Sequence, residues 1–154
     1  MEHCIPLRKR AVQFVAIVAM ALSMTASWAD DAVVLVTHTD SPIEDLSSLD
    51  IRKAYLGISV TIGRHTIRPL RLSEDERLNN IFLQTVIAMS QKTYERRLLS
   101  MMLKFGTPRP VEVDNRDEQL EQLALNPYAI AYMWRSDAET NSRVKTIKVL
   151  WQQR

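Results

Sequence analysis

Cysteine is almost absent from this chain. The one thiol, Cys4, stands near the start of the 154 residues. A lone cysteine excludes an internal disulfide and a thiolate metal site. Cys4 also precedes the first apolar stretch, so it is no lipid-modified cysteine following one. Glycine is nearly as scarce. Gly57, Gly63 and Gly106 are the only three, so no Gly-rich phosphate loop exists and that count argues against a nucleotide or dinucleotide fold. Of the three histidines, His38 and His65 lie outside the leader and stand in no His-x₃-His or His-Glu pairing. No metal site is expected from them. No Gly-x-Ser-x-Gly occurs either, and Ser73 and Ser90 read as helix caps rather than nucleophiles. The chain is expected not to be an enzyme, and no cofactor is expected.

What is present begins with an address. Arg8, Lys9 and Arg10 form a basic segment, and Ala11 to Met24 is an apolar stretch interrupted by Gln13 and Ser23. Ser27 and Ala29 then put small side chains at the −3 and −1 positions of a cleavage site. The stretch is short for a spanning helix, which needs about 20 mostly apolar residues. Residues 1–29 are therefore expected to be a signal peptide, cleaved after Ala29, with residues 30–154 a single periplasmic domain. Removing the leader takes Cys4 away. It also takes three of 20 basic and one of 18 acidic residues, leaving 17 of each. A neutral domain without a basic run is not expected to bind nucleic acid, where affinity rests on phosphate neutralisation.

The rest alternates strand and helix signals. Ala32 to Thr37 is a valine-rich run that reads as a central parallel strand buried on both faces. Ser47 with Asp50 forms a capping box before a helix at 48–56, which Gly57 ends. The β-branched residues 58–62 read as a strand, and Gly63 stops it. Residues 66–72 look extended, with Pro69 arguing for an edge or a bulge. Ser73-Glu-Asp-Glu76 is a second capping box, and Leu78, Ile81, Phe82, Val86 and Met89 trace one face of the helix behind it. Ser90 caps a third helix carrying Tyr94, Leu98, Met101 and Met102, ended by Gly106. Asn115 with Glu118 caps a fourth. Residues 129–134 and 144–150 read as strands, and 136–142 as a mobile connection. The pattern implies an α/β three-layer sandwich with a mostly parallel central sheet.

Several segments then fall into a known order. Leu46-Ser-Ser-Leu-Asp-Ile-Arg-Lys-Ala-Tyr-Leu-Gly57, Ile67-Arg-Pro-Leu-Arg71, Asn80-Ile-Phe-Leu83 and Asn126-Pro-Tyr-Ala-Ile-Ala-Tyr132 resemble, in sequence and spacing, elements of the phosphate-type periplasmic solute-binding proteins. The resemblance implies one lobe of a type II periplasmic binding fold. Full-length members have two lobes with the ligand between them, so one lobe supplies one wall of the cleft. It also implies a small oxyanion as ligand and an inner-membrane transporter or sensor as partner.

The family's Arg-x-x-x-Ser-Gly-Thr loop places its arginine near Arg71 and its Ser-Gly-Thr at Asp75-Glu76-Arg77. Two carboxylates there would occupy the positive end of the helix themselves, and tight phosphate binding is not expected. The family's Ala-Ile-Gly-Tyr glycine is Ala131. Thr39 and Ser41 at the end of the first strand, with Arg71, Ser73 and Arg77, are the candidate ligand-binding residues. For Thr39 and Ser41 the plainer reading is a turn whose hydroxyls serve local backbone groups. An alternative function is an interaction module that binds no solute and docks on a membrane receptor, transporter or sensor kinase. The Arg71–Arg77 loop discriminates: an open anion site favours solute binding, a self-capped loop the module. Lys92, Arg96, Arg97 and Lys104 form the densest basic stretch, read as a solvated helix face or, more sharply, as a surface for an acidic partner.

Overall fold

The computed structural model describes residues 31–153. The leader, its cleavage position and Cys4 lie outside them. The valine-rich run forms β1 (Ala32–His38), buried along nearly its whole length. Its side chains alternate between two cores. Val33 and Leu35 face one apolar cluster and Val34 and Val36 the other. β6 (Ala129–Trp134) does the same, sending Ile130 and Tyr132 to the first and Ala129, Ala131 and Met133 to the second.

The sheet has five strands in the order β5-β4-β6-β1-β7, with β4 at Arg68–Leu72, β5 at Val111–Val113 and β7 at Val144–Gln152. β4 is parallel to both β5 and β6, whereas β1 is antiparallel to both β6 and β7. Four strands therefore run one way and β1 alone runs the other. This corrects the direction expected of β1. An unbroken apolar run reports cover on both faces, and helices on both faces supply that cover for a strand of either direction.

Helices complete the three layers. α1 (Ser48–Tyr55), α2 (Glu76–Phe82) and α3 (Gln91–Phe105) bring Ile51, Tyr55, Leu78, Phe82, Tyr94 and Leu98 to the first core. α4 (Arg116–Leu125) and α5 (Arg135–Thr140) bring Leu120, Leu123 and Ala138 to the second. Ser47, Ser90 and Asn115 cap α1, α3 and α4 through side-chain acceptors, as their sequences dictate.

Local departures have local causes. The expected helix through Met89 is α2 followed by a π-helical turn at Leu83–Ile87, closed by Ala88 in a left-handed conformation at φ 57°. The wider turn still buries Leu83 and Ile87. The β-branched residues near 60 join no large sheet. Only Thr61–Ile62 (β2) pairs, with His65–Thr66 (β3), in a hairpin whose turn uses Gly63 at φ 61°. Pro69 lies in an inner strand, not at an edge. Pairing with β5 starts at Leu70, so at Pro69 the strand is paired on one side alone, where a residue without an N–H is tolerated. Within 136–142, expected as a connection, residues up to Thr140 belong to α5.

Candidate functional site

β4, β5 and β6 end together beside the N-terminus of α2, where open α/β sheets place their sites. A depression of about 250 Å³ opens there, lined by Arg71, Ser73, Glu76, Asn79, Asn80, Gln91 and Glu112. Its wall contains the buried guanidinium of Arg71, 6% exposed. Arg71 Nη1 donates to Glu95 Oε1 at 2.8 Å, and the guanidinium lies 5.0 Å above the Tyr94 ring. Glu95 also accepts from Arg109 at 3.0 Å and from Gln91 at 3.1 Å. Burial pulls the Arg71 pKa down, but the Glu95 hydrogen bond and nearby negative groups outweigh it, so the guanidinium is held charged. Its Nε is buried and makes no hydrogen bond.

The N-terminus of α2 is already occupied. Asp75, not Ser73, is the N-cap. Its Oδ1 accepts from the Leu78 N–H at 2.8 Å, and its Oδ2 accepts from the Trp134 indole N–H at 2.7 Å. A carboxylate is the stronger acceptor and suits the positive end of a helix. It moves the helix start two residues beyond the Ser73 capping box expected from sequence. Ser73 instead donates to the Val113 and Asp114 carbonyls at 3.2 and 3.4 Å, tying β4 to β5. Arg77 does not turn back to Asp75 or Glu76. It pairs with Asp31 at 2.6 Å and lies 5.0 Å over the Trp134 ring.

Thr39 and Ser41 are not part of this arrangement. β1 runs against its neighbours, so its end lies beside the starts of β4 and β6, at the opposite end of the sheet from Ser73. Thr39 donates to the Ser142 carbonyl at 2.9 Å, and Ser41 donates to the Pro127 carbonyl at 2.5 Å while accepting from the Ile43 N–H. Both hydroxyls serve backbone groups, but the carbonyls they donate to are 103 and 86 positions away rather than in the local turn expected from sequence. The five candidate residues thus fall into two groups. Arg71 and Ser73 share the depression, Arg77 sits beyond the same end of the sheet, and Thr39 and Ser41 are remote. Separately, Ala54, Gly57, Ile58, Ile67, Pro69, Pro108 and Val111 contribute to a mostly apolar hollow of about 400 Å³.

Beneath the Arg71 depression lies a buried layer of hydroxyls and rings. Tyr132 donates to the Asn79 side-chain oxygen, and Asn79 donates to the Leu72 carbonyl at 2.6 Å. Tyr94 donates to the Tyr55 carbonyl at 2.6 Å and Tyr55 to the Leu70 carbonyl at 3.1 Å. Phe82 stacks on Tyr132 with ring centres 3.9 Å apart and meets Tyr55 edge-on at 4.7 Å. Burial pushes all three phenols above their ordinary pKa, against the opposing charge of Arg71. Every hydroxyl of this layer has an acceptor.

Glu95, Trp134 and Asn79 hold the polar groups around the depression, and the sequence does not mark them. Their partners are 24, 59 and 53 positions away, and no local spacing pattern encodes such pairs. His38 bonds the Asp40 N–H through Nδ1 at 3.3 Å, and His65 stacks on Tyr128 with ring centres 4.2 Å apart. Among the described residues no three histidine, aspartate or glutamate side chains converge in a way that could hold a metal ion.

The comparisons agree with this architecture. The chain is similar to an ABC-type phosphate transport receptor from Vibrio cholerae (12% identity, TM-score 0.53, 78% of this chain and 46% of that one). It is similar to a phosphate ABC transporter substrate-binding protein from Clostridium perfringens, a structure with bound phosphate (20%, 0.55, 78% and 45%). It is also similar to PstS from Borrelia burgdorferi (16%, 0.52, 73% and 44%). Sequence similarity does not extend this: no family model matches the chain, and no curated protein matches it significantly. The chain has a periplasmic-binding-protein fold and spans less than half the length of these structures.

Proposed function

We propose that this chain is a single binding-protein lobe, exported after cleavage behind Ala29, that acts as a non-enzymatic interaction module docking on a membrane receptor, transporter or sensor. One observation carries the reading: the Asp75 carboxylate fills the helix N-terminus that would otherwise receive an anion. The cations of the same loop are also satisfied, Arg71 by Glu95 and Arg77 by Asp31. A phosphate entering there would meet Asp75 and Glu76 at close range, with repulsion reaching kilocalories where water is excluded. Ser73 and Ser90, the serines a hydrolase reading would use, spend their hydroxyls on the backbone or on a helix cap, which supports a binding role over a catalytic one. The leader read from sequence and the likeness to substrate-binding proteins of ABC transporters support a periplasmic location, and an Asp30 N-terminus in the periplasmic fraction, read by mass spectrometry, is the check on processing. Recovery of the full-length chain in membranes alone would refute it.

A second reading, a small oxyanion held at the Arg71 depression for transport or sensing, rests on the buried Nε of Arg71 that lacks a partner. Calorimetry with phosphate and sulfate separates the two. The interaction module gives dissociation constants above ~0.1 mM, weaker than about −5.5 kcal/mol. The double substitution Asp75→Ser with Glu76→Gly removes both loop carboxylates, and anion affinity rises. Micromolar phosphate binding by the unmodified protein would overturn the module and restore solute capture.

A further inference from the structure

α3 carries two features that the fold leaves unused. Its N-terminal half is anchored through Tyr94 and Leu98, both buried. Its C-terminal half is not covered. Leu99 is 45% exposed, Met102 39%, Leu103 74% and Phe105 70%. Leu99, Met102 and Leu103 stand at i, i+3 and i+4, so they share one face. Phe105 follows Met102 by three positions and extends the strip around the helix end, where Gly106 at φ 64° stops it. These four are half of the eight large apolar side chains exposed among the described residues.

Positive charge runs along the same helix: Lys92 and Arg96, seven and three positions before Leu99, share its face, and Arg97 and Lys104 lie further round. None of these four forms an ion pair among the described residues. The single acidic residue of α3, Glu95, is neutralised by Arg71 and Arg109. Whatever covers this face must therefore be apolar and negatively charged. A second copy of this chain fails the charge condition, because α3 against α3 brings cations onto cations. A deformable anionic surface meets both conditions: side chains enter the acyl boundary while the flanking cations meet phosphate headgroups.

We propose that the C-terminal half of α3, through Leu99, Met102, Leu103 and Phe105 with Lys92, Arg96, Arg97 and Lys104, seats this protein on the surface of a bilayer containing anionic phospholipid. The inference does not depend on whether the Arg71 depression holds a solute. It gives the interaction module a way to concentrate beside a membrane partner, with Gln91, at the start of the same helix, on the rim of the depression.

The test is co-sedimentation of the chain from Asp30 with vesicles of phosphatidylglycerol and phosphatidylcholine, or of phosphatidylcholine alone. The expected result is binding at least tenfold stronger to the anionic vesicles, weakened by raising salt. Leu103→Ser with Phe105→Ser lowers that binding at least tenfold, as does Arg96→Glu with Arg97→Glu. The melting temperature of each variant stays unchanged, because every substituted side chain is exposed. Absence of binding to anionic vesicles overturns the proposal. So does binding that survives the serine pair, which would be adsorption by charge alone. A dimer seen by sedimentation equilibrium and abolished by the serine pair, without vesicle binding, would assign the strip to a second copy instead.

Discussion

Asp75 is the residue whose replacement tests the site most directly, because one carboxylate holds two structures together. Oδ1 caps α2 through the Leu78 N–H, and Oδ2 ties the Trp134 indole at the end of β6. Losing an N-cap costs typically ~1 kcal/mol. A hydrogen bond to a charged acceptor contributes about 1.5–3 kcal/mol. Trp134 is only half-buried, so water replaces part of the second bond and ~1 kcal/mol is the fairer figure for it. Asp75→Ala is thus expected to destabilise by about 2 kcal/mol, and Trp134→Phe by about half of that. Asp75→Asn keeps one acceptor oxygen, for the Leu78 N–H, and turns an amide donor toward the Trp134 N–H, so it is expected to cost about 1 kcal/mol, less than the alanine variant. Urea unfolding followed by circular dichroism reads these differences without relying on tryptophan emission. The double variant Asp75→Ala with Trp134→Phe is then less destabilised than the two singles together, by about 1 kcal/mol. A strictly additive cycle, or an alanine variant as stable as the asparagine one, would refute the assignment of Asp75 as a two-way tie.

Phe82→Ala removes a ring packed against Tyr132 and Tyr55 and should cost about 3–5 kcal/mol, a large share of a domain's stability. An unchanged melting temperature would contradict that packing. Glu95→Gln leaves the buried Arg71 without its counter-charge. Because Glu95 is itself part exposed, the loss should be about 1–3 kcal/mol, less than for a fully buried pair. The same substitution should tighten phosphate binding, and calorimetry that finds no change would show that Glu95 does not screen the site. The three buried tyrosines predict alkaline unfolding. Their pKa values are raised in the folded state, so their contribution is fully present below the unfolded phenol value of ~10 and is lost as pH climbs above it. In a Tyr128→Phe background, which removes the one part-exposed phenol, absorbance at 295 nm should rise in one cooperative step together with loss of the far-ultraviolet signal. Separate transitions would mean that the phenols ionise inside the intact fold.

Elements whose signals are local could be read directly from the chain. The caps at Ser47, Ser90 and Asn115, the stops at Gly57 and Gly106 and the two-sided burial of β1 and β6 all follow from neighbouring residues, and so does the α/β layering. That carboxylates stand at the positive end of α2 was also legible, since Asp75 and Glu76 occupy the positions where the resembling family has Ser and Gly. The remainder depends on how distant segments pack. β1 runs antiparallel because strand direction follows from the chain's path between layers, to which an apolar run is blind. That reversal sent Thr39 and Ser41 to the far end of the sheet. It also left Arg71, Ser73 and Arg77 without them. Glu95 and Trp134 closed the site from 24 and 59 residues away. Such pairings depend on which surfaces the sheet brings together, and a local pattern of residues carries no record of that.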